Sequence, residues 1–245
     1  MEERLKTIGD YWSQRSKGFS EYVLEHIDED EDSLYLKLIH DYADGKQLKV
    51  LDIGCGPGLF SIILGKAGHN VTAIDYSDGM LEKAKKNAEQ FGVKSTILKM
   101  DAQNLEFPDV TFDLIVSRKV VWNLPDPRRA YSEWLRVLKK GGRMILFDGN
   151  YFLGMFDEDY KMNVPFENDS KEQVTDYQGA DPRILCGFAK ELPLSKERRP
   201  QWDIGVLTEL GVEHIEIDID HSRDVETKNG LVHLPDTFVI TVLKK

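Results

Sequence analysis

From Leu48 onward the chain alternates short, mainly apolar runs with segments whose apolar residues recur every three or four positions. The runs at 48–53, 70–75, 95–100, 112–117 and 143–148 predict strands, and 59–68, 78–91 and 127–139 predict amphipathic helices between them. Strands that alternate with helices in this way build βαβ units and a parallel sheet. Met80, Leu81, Ala84, Lys85 and Ala88 share one helix face, Gly92 just past Phe91 reads as a helix stop, and Asp126 before Pro127 reads as a helix cap. Residues 1–45 read as helical in two segments, around Asp10–Arg15 and Leu34–Ile39. The acidic run Asp28–Asp32 separates them and is expected near the start of the second helix, where the macrodipole favours negative charge.

The regularity breaks between Asn150 and Ser195 into an aromatic and acidic stretch with Tyr151, Phe152, Phe156, Tyr160, Phe166, Tyr177 and Phe188. It leaves the carboxyl end of the run 143–148, the edge at which open parallel sheets bind ligands, so it reads as a lid or as a surface excursion on the sheet's flank. A helix near Gln201–Leu210 and strands near 212–220 and 237–245 follow, joined by a segment, His221–Pro235, longer than a tight hairpin requires. The expected organisation is one domain over 1–245: a helical cap (1–45), a core (48–149), an insertion (150–195) and a C-terminal helix with a strand hairpin (196–245).

Chemistry concentrates at Lys49–Val50–Leu51–Asp52–Ile53–Gly54–Cys55–Gly56–Pro57–Gly58, where an apolar strand runs into three alternate glycines. Without a Cβ the backbone turns sharply and a ligand can lie against bare peptide groups, while the next helix offers unpaired N–H donors. The alternative is a tight strand-to-helix turn with no ligand. The next strand ends in Asp75, about 20 residues beyond Gly54, the offset at which a carboxylate accepts both hydroxyls of a ribose.

V-L-D-I-G-C-G-P-G at 50–58, with Asp75, Met100–Asp101–Ala102 and Phe112–Val116, resembles the class I S-adenosylmethionine-dependent methyltransferases of the small-molecule, ubiquinone/menaquinone-methyltransferase-like type. The resemblance covers residues 48–149. Nicotinamide-binding loops want a third glycine where this chain has Leu59. The resemblance implies an α/β, Rossmann-like, doubly wound seven-stranded sheet, mostly parallel with one antiparallel strand, plus an N-terminal helical segment and an inserted lid. It implies S-adenosylmethionine as cofactor. Gly54, Gly56 and Gly58 would line its methionine part, with Asp52 and the backbone at Ile53 and Cys55 near its ammonium. Asp75 would hold the ribose. Tyr76 and Met80 would touch the adenine, and Asp101 and the Ala102 N–H would read its edge; Met80 as a core residue and Asp101 as a turn residue are the alternatives. Ser117 would offer a backbone carbonyl at the reactive end. Tyr11, Trp12 and Arg15 resemble a lead segment that folds over the cofactor, Arg15 binding its carboxylate; an amphipathic helix packed on the core is the other reading.

The cofactor brings its own electrophile, so no catalytic residue is nominated. Arg118, Trp122, Asn123 and Tyr151 are candidates to face the methyl acceptor, Trp122 and Asn123 because similar enzymes hold His or Asn just before Leu124–Pro125–Asp126–Pro127; Arg118 in a surface ion pair is the alternative. The chain lacks the Asn/Asp-Pro-Pro-aromatic motif of enzymes that methylate base or amide nitrogen. Nor does it carry an acidic magnesium cluster or a multi-thiol site, so no metal is expected.

Composition narrows the partners. Over 245 residues the net charge is −11, which argues against a nucleic-acid partner, and the run Lys196–Arg199 is expected to be a solvated surface. No apolar run approaches the roughly 18 residues of a membrane helix. The start of the chain has no secretory pattern and the 2 cysteines, Cys55 and Cys186, form no cluster, so a reducing, cytoplasmic setting is expected. A small-molecule acceptor is the expected partner, and the oligomeric state is not legible. The competing readings are a nicotinamide-dependent oxidoreductase and a non-catalytic cofactor-binding subunit.

Overall fold

In the computed structural model, which describes residues 2–31, 34–163, 179–227 and 230–245, the five central apolar runs are strands β1 (Lys49–Ile53), β2 (Asn70–Asp75), β3 (Thr96–Lys99), β4 (Phe112–Arg118) and β5 (Leu138–Gly149). With β6 (His214–Thr227) and β7 (Gly230–Leu243) they form a seven-stranded sheet in the order β3-β2-β1-β4-β5-β7-β6. Neighbours from β3 to β5 are parallel, and β7 inserts antiparallel to both β5 and β6. The sheet is thus mostly parallel with one antiparallel member, as expected.

Period-2 alternation splits the strand residues between two layers. Val50, Leu114, Val116 and Ile145 face α3 (Leu59–Lys66) and α2 (Leu34–Ala43), while Leu51, Ile53, Ile115 and Leu146 face α5 (Pro127–Val137) and α7 (Gln201–Glu209). The capping chemistry is as the sequence implies. Ser77 accepts from Met80 N at the start of α4 (Asp78–Gln90), Gly92 takes a left-handed φ of +66° after it, and Asp126 accepts from Arg129 N ahead of Pro127.

Three boundaries differ from expectation. α5 stops at Val137, because Leu138 turns to extended backbone and pairs with Phe112, so β5 begins five residues before the anticipated run. Residues 221–227 and 230–235 are strand: pairing between β6 and β7 runs out to Thr227 opposite Gly230. Asp28–Glu31 of the acidic run belong to the end of α1 (Glu2–Glu31) and not to the second helix, and α2 begins at Leu34.

α1 lies over the carboxyl rim of the sheet and is held on α4. Ser13 and Ser77 hydroxyls are 2.9 Å apart, Gly79 N donates to Ser13 Oγ, and Asn87 bridges Ser20 Oγ and Pro57 O. A Cβ on Gly79 would stand 2.7 Å from Ser13 O, so the two helices meet at a distance only glycine permits there. After β5 come turns at Leu153–Met155 and Glu158–Asn163 and helix α6 (Pro182–Ala189). Phe166 and Tyr177 of the anticipated lid lie outside the described residues.

Candidate functional site

β1 ends against three glycines in left-handed backbone, Gly54 (φ +66°), Gly56 (+53°) and Gly58 (+97°). Gly54 N and Cys55 N both donate to Ile74 O, folding the loop back over the end of β2. A Cβ on Gly54 would meet Val120 Cγ2 at 2.3 Å, so this loop and the one after β4 approach too closely for any side chain. Asp75 organises the loop from the side: its Oδ2 accepts from Gly56 N at 2.9 Å and its Oδ1 from Ser77 N at 2.8 Å. Burial pushes its carboxyl above the usual range, and the Ser77 and Gly56 N–H groups pull it back. Each oxygen keeps a second lone-pair position for a ligand.

A cavity of about 300 Å³ opens along this rim, and Asp75 lines it together with Gly54, Gly56, Tyr76, Met80, Asp101, Ala102, Arg15, Arg118, Trp122, Asn123 and Tyr151. Those anticipated residues lie far apart in the chain and are brought together by the carboxyl ends of β1 to β5 and by α1. Asp52, Cys55, Gly58, Ser117 and Tyr11 do not line it. Side chains within a strand point to the faces of the sheet, not along its edge. Asp52 therefore faces α3, where Ser61 Oγ donates to it at 3.3 Å; burial, with the Asp75 charge adding to it, raises its pKa to about 7 despite that bond. Cys55 packs on Ala73, Leu81 and Ala84, and burial pushes its thiol well up. Ser117 Oγ donates to Ile53 O, tying β4 to β1. Tyr11 packs edge-on against Trp12 and Phe188, and Gly58 starts α3.

Sequence reasoning anticipated Trp12 and Arg15 of the wall contributed by α1 but missed Leu5, Ile8 and Phe19. Leu5, Ile8, Trp12, Arg15 and Phe19 all line the cavity, and their alternating spacing of three and four is a single helix stripe that was there to be read. It also missed Gln103, which is fully buried: its N and Nε2 donate to Asp101 Oδ1 at 2.8 and 2.9 Å, and its Oε1 accepts from Asp126 N, so it clamps Asp101 to the start of α5.

At the β4–β5 end, Lys119 takes a φ of +59° and its carbonyl accepts from Trp122 Nε1. Trp122 packs on Tyr151 and Phe152, with ring centroids 5.7 and 5.1 Å away. Burial drives the Tyr151 phenol well above its ordinary value, and the Asp148 charge adds to this. Behind Trp122 stands a buried charge cluster. Asp148 accepts from Trp122 N and lies 3.1 Å from Arg199, whose guanidinium also makes a two-bond fork with Asp203; Tyr131 donates to Asp203. Arg199 is 0% exposed, which overturns the expectation that the whole run 196–199 is solvated surface. Its spacing of four from Asp203 was the available signal. Trp12 Nε1, Arg118 Nε and Asn123 Oδ1, on side chains that line the cavity, are buried without a hydrogen-bond partner among the described residues. Such atoms are rare in folded proteins and mark places where a ligand or water completes the bonding.

Residues 51–146 match the family model described as a methyltransferase domain. A phosphatidylethanolamine N-methyltransferase from Cereibacter sphaeroides is 40% identical over 148 residues, which are 56% of this chain and 70% of that one. A ubiquinone biosynthesis O-methyltransferase from Coxiella burnetii is 34% identical over 110 residues, 45% of this chain and 47% of that one, so the chain spans about half the length of that relative. Among solved structures, a chain assigned to the S-adenosyl-L-methionine-dependent methyltransferases from Methanococcus maripaludis superposes with a TM-score of 0.61 at 25% identity, covering 94% of this chain and 92% of that one.

Proposed function

This chain belongs to the class I S-adenosylmethionine-dependent methyltransferases, and from that premise we propose that it transfers the methyl group of S-adenosylmethionine to a small, largely apolar acceptor. One observation carries the reading. Two carboxylates, Asp75 and Asp101, stand at the ends of adjacent strands on one cavity whose floor is bare glycine backbone.

These residues suit an adenosyl group. Asp75 has lone pairs left for the two ribose hydroxyls, and Asp101 keeps Oδ2 for the adenine amine while the Ala102 N–H donates to the ring. Tyr76 and Met80 would supply apolar contact with the base. Arg15, which lies over the rings of Trp12 and Phe19 at 5.0 and 5.9 Å, would receive the methionine carboxylate, and the backbone at Ser117 its ammonium. Bound there, S-adenosylmethionine would supply a sulfonium-activated methyl group for the acceptor's lone pair, with the C–S electron pair left on sulfur.

The protein's own part is alignment and exclusion of water. No histidine lines the cavity among the described residues, and the Tyr151 phenol holds its proton too tightly to act as a base at neutral pH. This lining suits an acceptor that needs no strong base: an amine, a thiolate or a hydroxyl acidic enough to ionise by itself. Tyr151, Phe152 and Leu185, from the 150–195 insertion, line the cavity and support its reading as a lid. Among the described residues no helix is long and apolar enough to cross a membrane. The two free cysteines fit a cytoplasmic place of action and the net charge fits a small-molecule, not a nucleic-acid, partner.

Calorimetric titration should show tight retention of S-adenosylhomocysteine and none of NADH, and labelled S-adenosylmethionine incubated with a metabolite extract should yield a product heavier by one methyl group. Retention of NADH in place of S-adenosylhomocysteine would restore the oxidoreductase alternative, and cofactor retention without a methylated product would restore the non-catalytic one.

A further inference from the structure

The cavity has a second end that the adenosyl group does not need. Its lining comes from the rims of five adjacent strands, β3-β2-β1-β4-β5, which at ~4.8 Å per strand gap spread over roughly 19 Å. Both carboxylates suited to the nucleoside stand on the β2–β3 side. The β4–β5 side carries Trp122, Tyr151, Phe152 and Leu185 with two cations beside them, Arg118, which is half-buried, and Lys119, which is exposed.

We propose that this end is the acceptor's subsite and that it takes an apolar body bearing an anionic oxygen, held by Arg118. The proposal rests on the reading of the β2–β3 end as the site of the methyl donor. Arg118 has no carboxylate within ion-pair distance among the described residues, and its Nε is shut off from water with no acceptor. The carboxylate of Asp148, at the end of the adjacent strand β5, is already engaged by Arg199, Trp122 N and Gly149 N. The guanidinium is not loose: its carbon lies 5.4 Å over the Tyr35 ring, and that ring is braced edge-on by Phe147 at 4.4 Å. A positioned guanidinium with a buried, unfilled Nε–H donor matches an oxyanion. Asn123 Oδ1, also buried without a donor, accepts from an N–H or O–H of the same ligand. Arg15 is the separate cation for the methyl donor, because its neighbour Phe19 reaches the glycine loop, 3.5 Å from where a Gly56 Cβ would stand.

The probes are 2-naphthoate and 2-naphthamide, equal in shape and apolar area and differing in charge, titrated calorimetrically into the protein with and without S-adenosylhomocysteine. A charge-assisted fork predicts about tenfold or more tighter binding of naphthoate. Arg118→Met should bring the two within about twofold of each other while leaving the affinity for S-adenosylhomocysteine intact, as would be expected if an isolated charge-assisted bond were removed. Arg118→Lys should retain part of the preference and shows that the fold tolerates the position. No preference in the unaltered protein, or a preference that survives Arg118→Met, overturns the proposal. So does a loss of S-adenosylhomocysteine in Arg118→Met equal to that in Arg15→Met, which would assign Arg118 to the donor. If the unaltered protein retains no S-adenosylhomocysteine, the donor reading falls, and the naphthoate preference of the free protein still decides for or against an anion site at Arg118.

Discussion

Replacing Asp75 tests the donor site most directly, because its carboxylate has two separable jobs. Each oxygen already accepts one backbone N–H, Gly56 at 2.9 Å and Ser77 at 2.8 Å, and each would take one ribose hydroxyl on its other lone pair. Two charge-assisted bonds at about 1.5–3 kcal/mol each set a ceiling near 6 kcal/mol on the loss in binding, and competition from water favours the lower end, about 3 kcal/mol. Asp75→Ala should therefore weaken S-adenosylhomocysteine binding by about 100-fold. Stability should move less. The variant strands two backbone donors at about 1–3 kcal/mol each, but it also removes a carboxylate whose raised pKa shows that burying its charge is itself unfavourable. Asp75→Asn separates the two jobs: it keeps one acceptor oxygen and turns an amide toward one of the two backbone donors, so it should lose the ligand nearly as badly while unfolding close to the parent. Calorimetry with S-adenosylhomocysteine, run beside urea denaturation of the same samples, reads both quantities. Affinities within about threefold of the parent in both variants, a difference under 1 kcal/mol, would refute the ribose assignment.

Asp52 should make stability depend on pH. Its pKa rises from an ordinary 3.8 to about 7 in the fold, so the folded protein holds this proton more tightly than the unfolded chain. Its contribution is fully favourable below the unfolded value, is lost as pH rises toward 7 and is level above that, a total swing of up to about 4 kcal/mol. Asp52→Asn should flatten that slope and gain stability at pH 8 in urea titrations; an unchanged slope between pH 5 and 8 would contradict the burial argument. Arg199→Met leaves Asp148 and Asp203 buried without their cation and should cost about 3–5 kcal/mol of unfolding free energy, with a loss below 1 kcal/mol counting against the cluster. Gly54→Ala forces a side chain into left-handed backbone and onto Val120, and should lower the melting temperature; adding Val120→Ala relieves the contact but not the backbone strain of about 1–2 kcal/mol, so rescue should be partial, and full or absent rescue would be inconsistent.

Much of this protein could be read along the chain because its information is local there. An apolar run that breaks into Gly54, Gly56 and Gly58 has few conformations open to it, and a strand that ends in Asp75 puts a carboxylate on the sheet's rim whatever else surrounds it. Period-2 and period-3.6 patterns likewise located the core strands and helices, since each pattern reflects one buried face. The misjudged features depended on what packs where. Leu138 extends because Phe112 offers a ladder partner, 221–227 and 230–235 are strand because each finds the other, and Arg199 is buried because Asp148, about 50 residues away, waits at the end of β5. Even within the site, Asp52 was legible as a strand residue, yet which face of the sheet it meets, and so whether it reaches the ligand, follows from the placement of α3. Local residue order determined the elements and the type of chemistry; the assembly of distant segments decided which polar groups share a cavity, which are paired away from it, and that Arg118 keeps a donor unfilled.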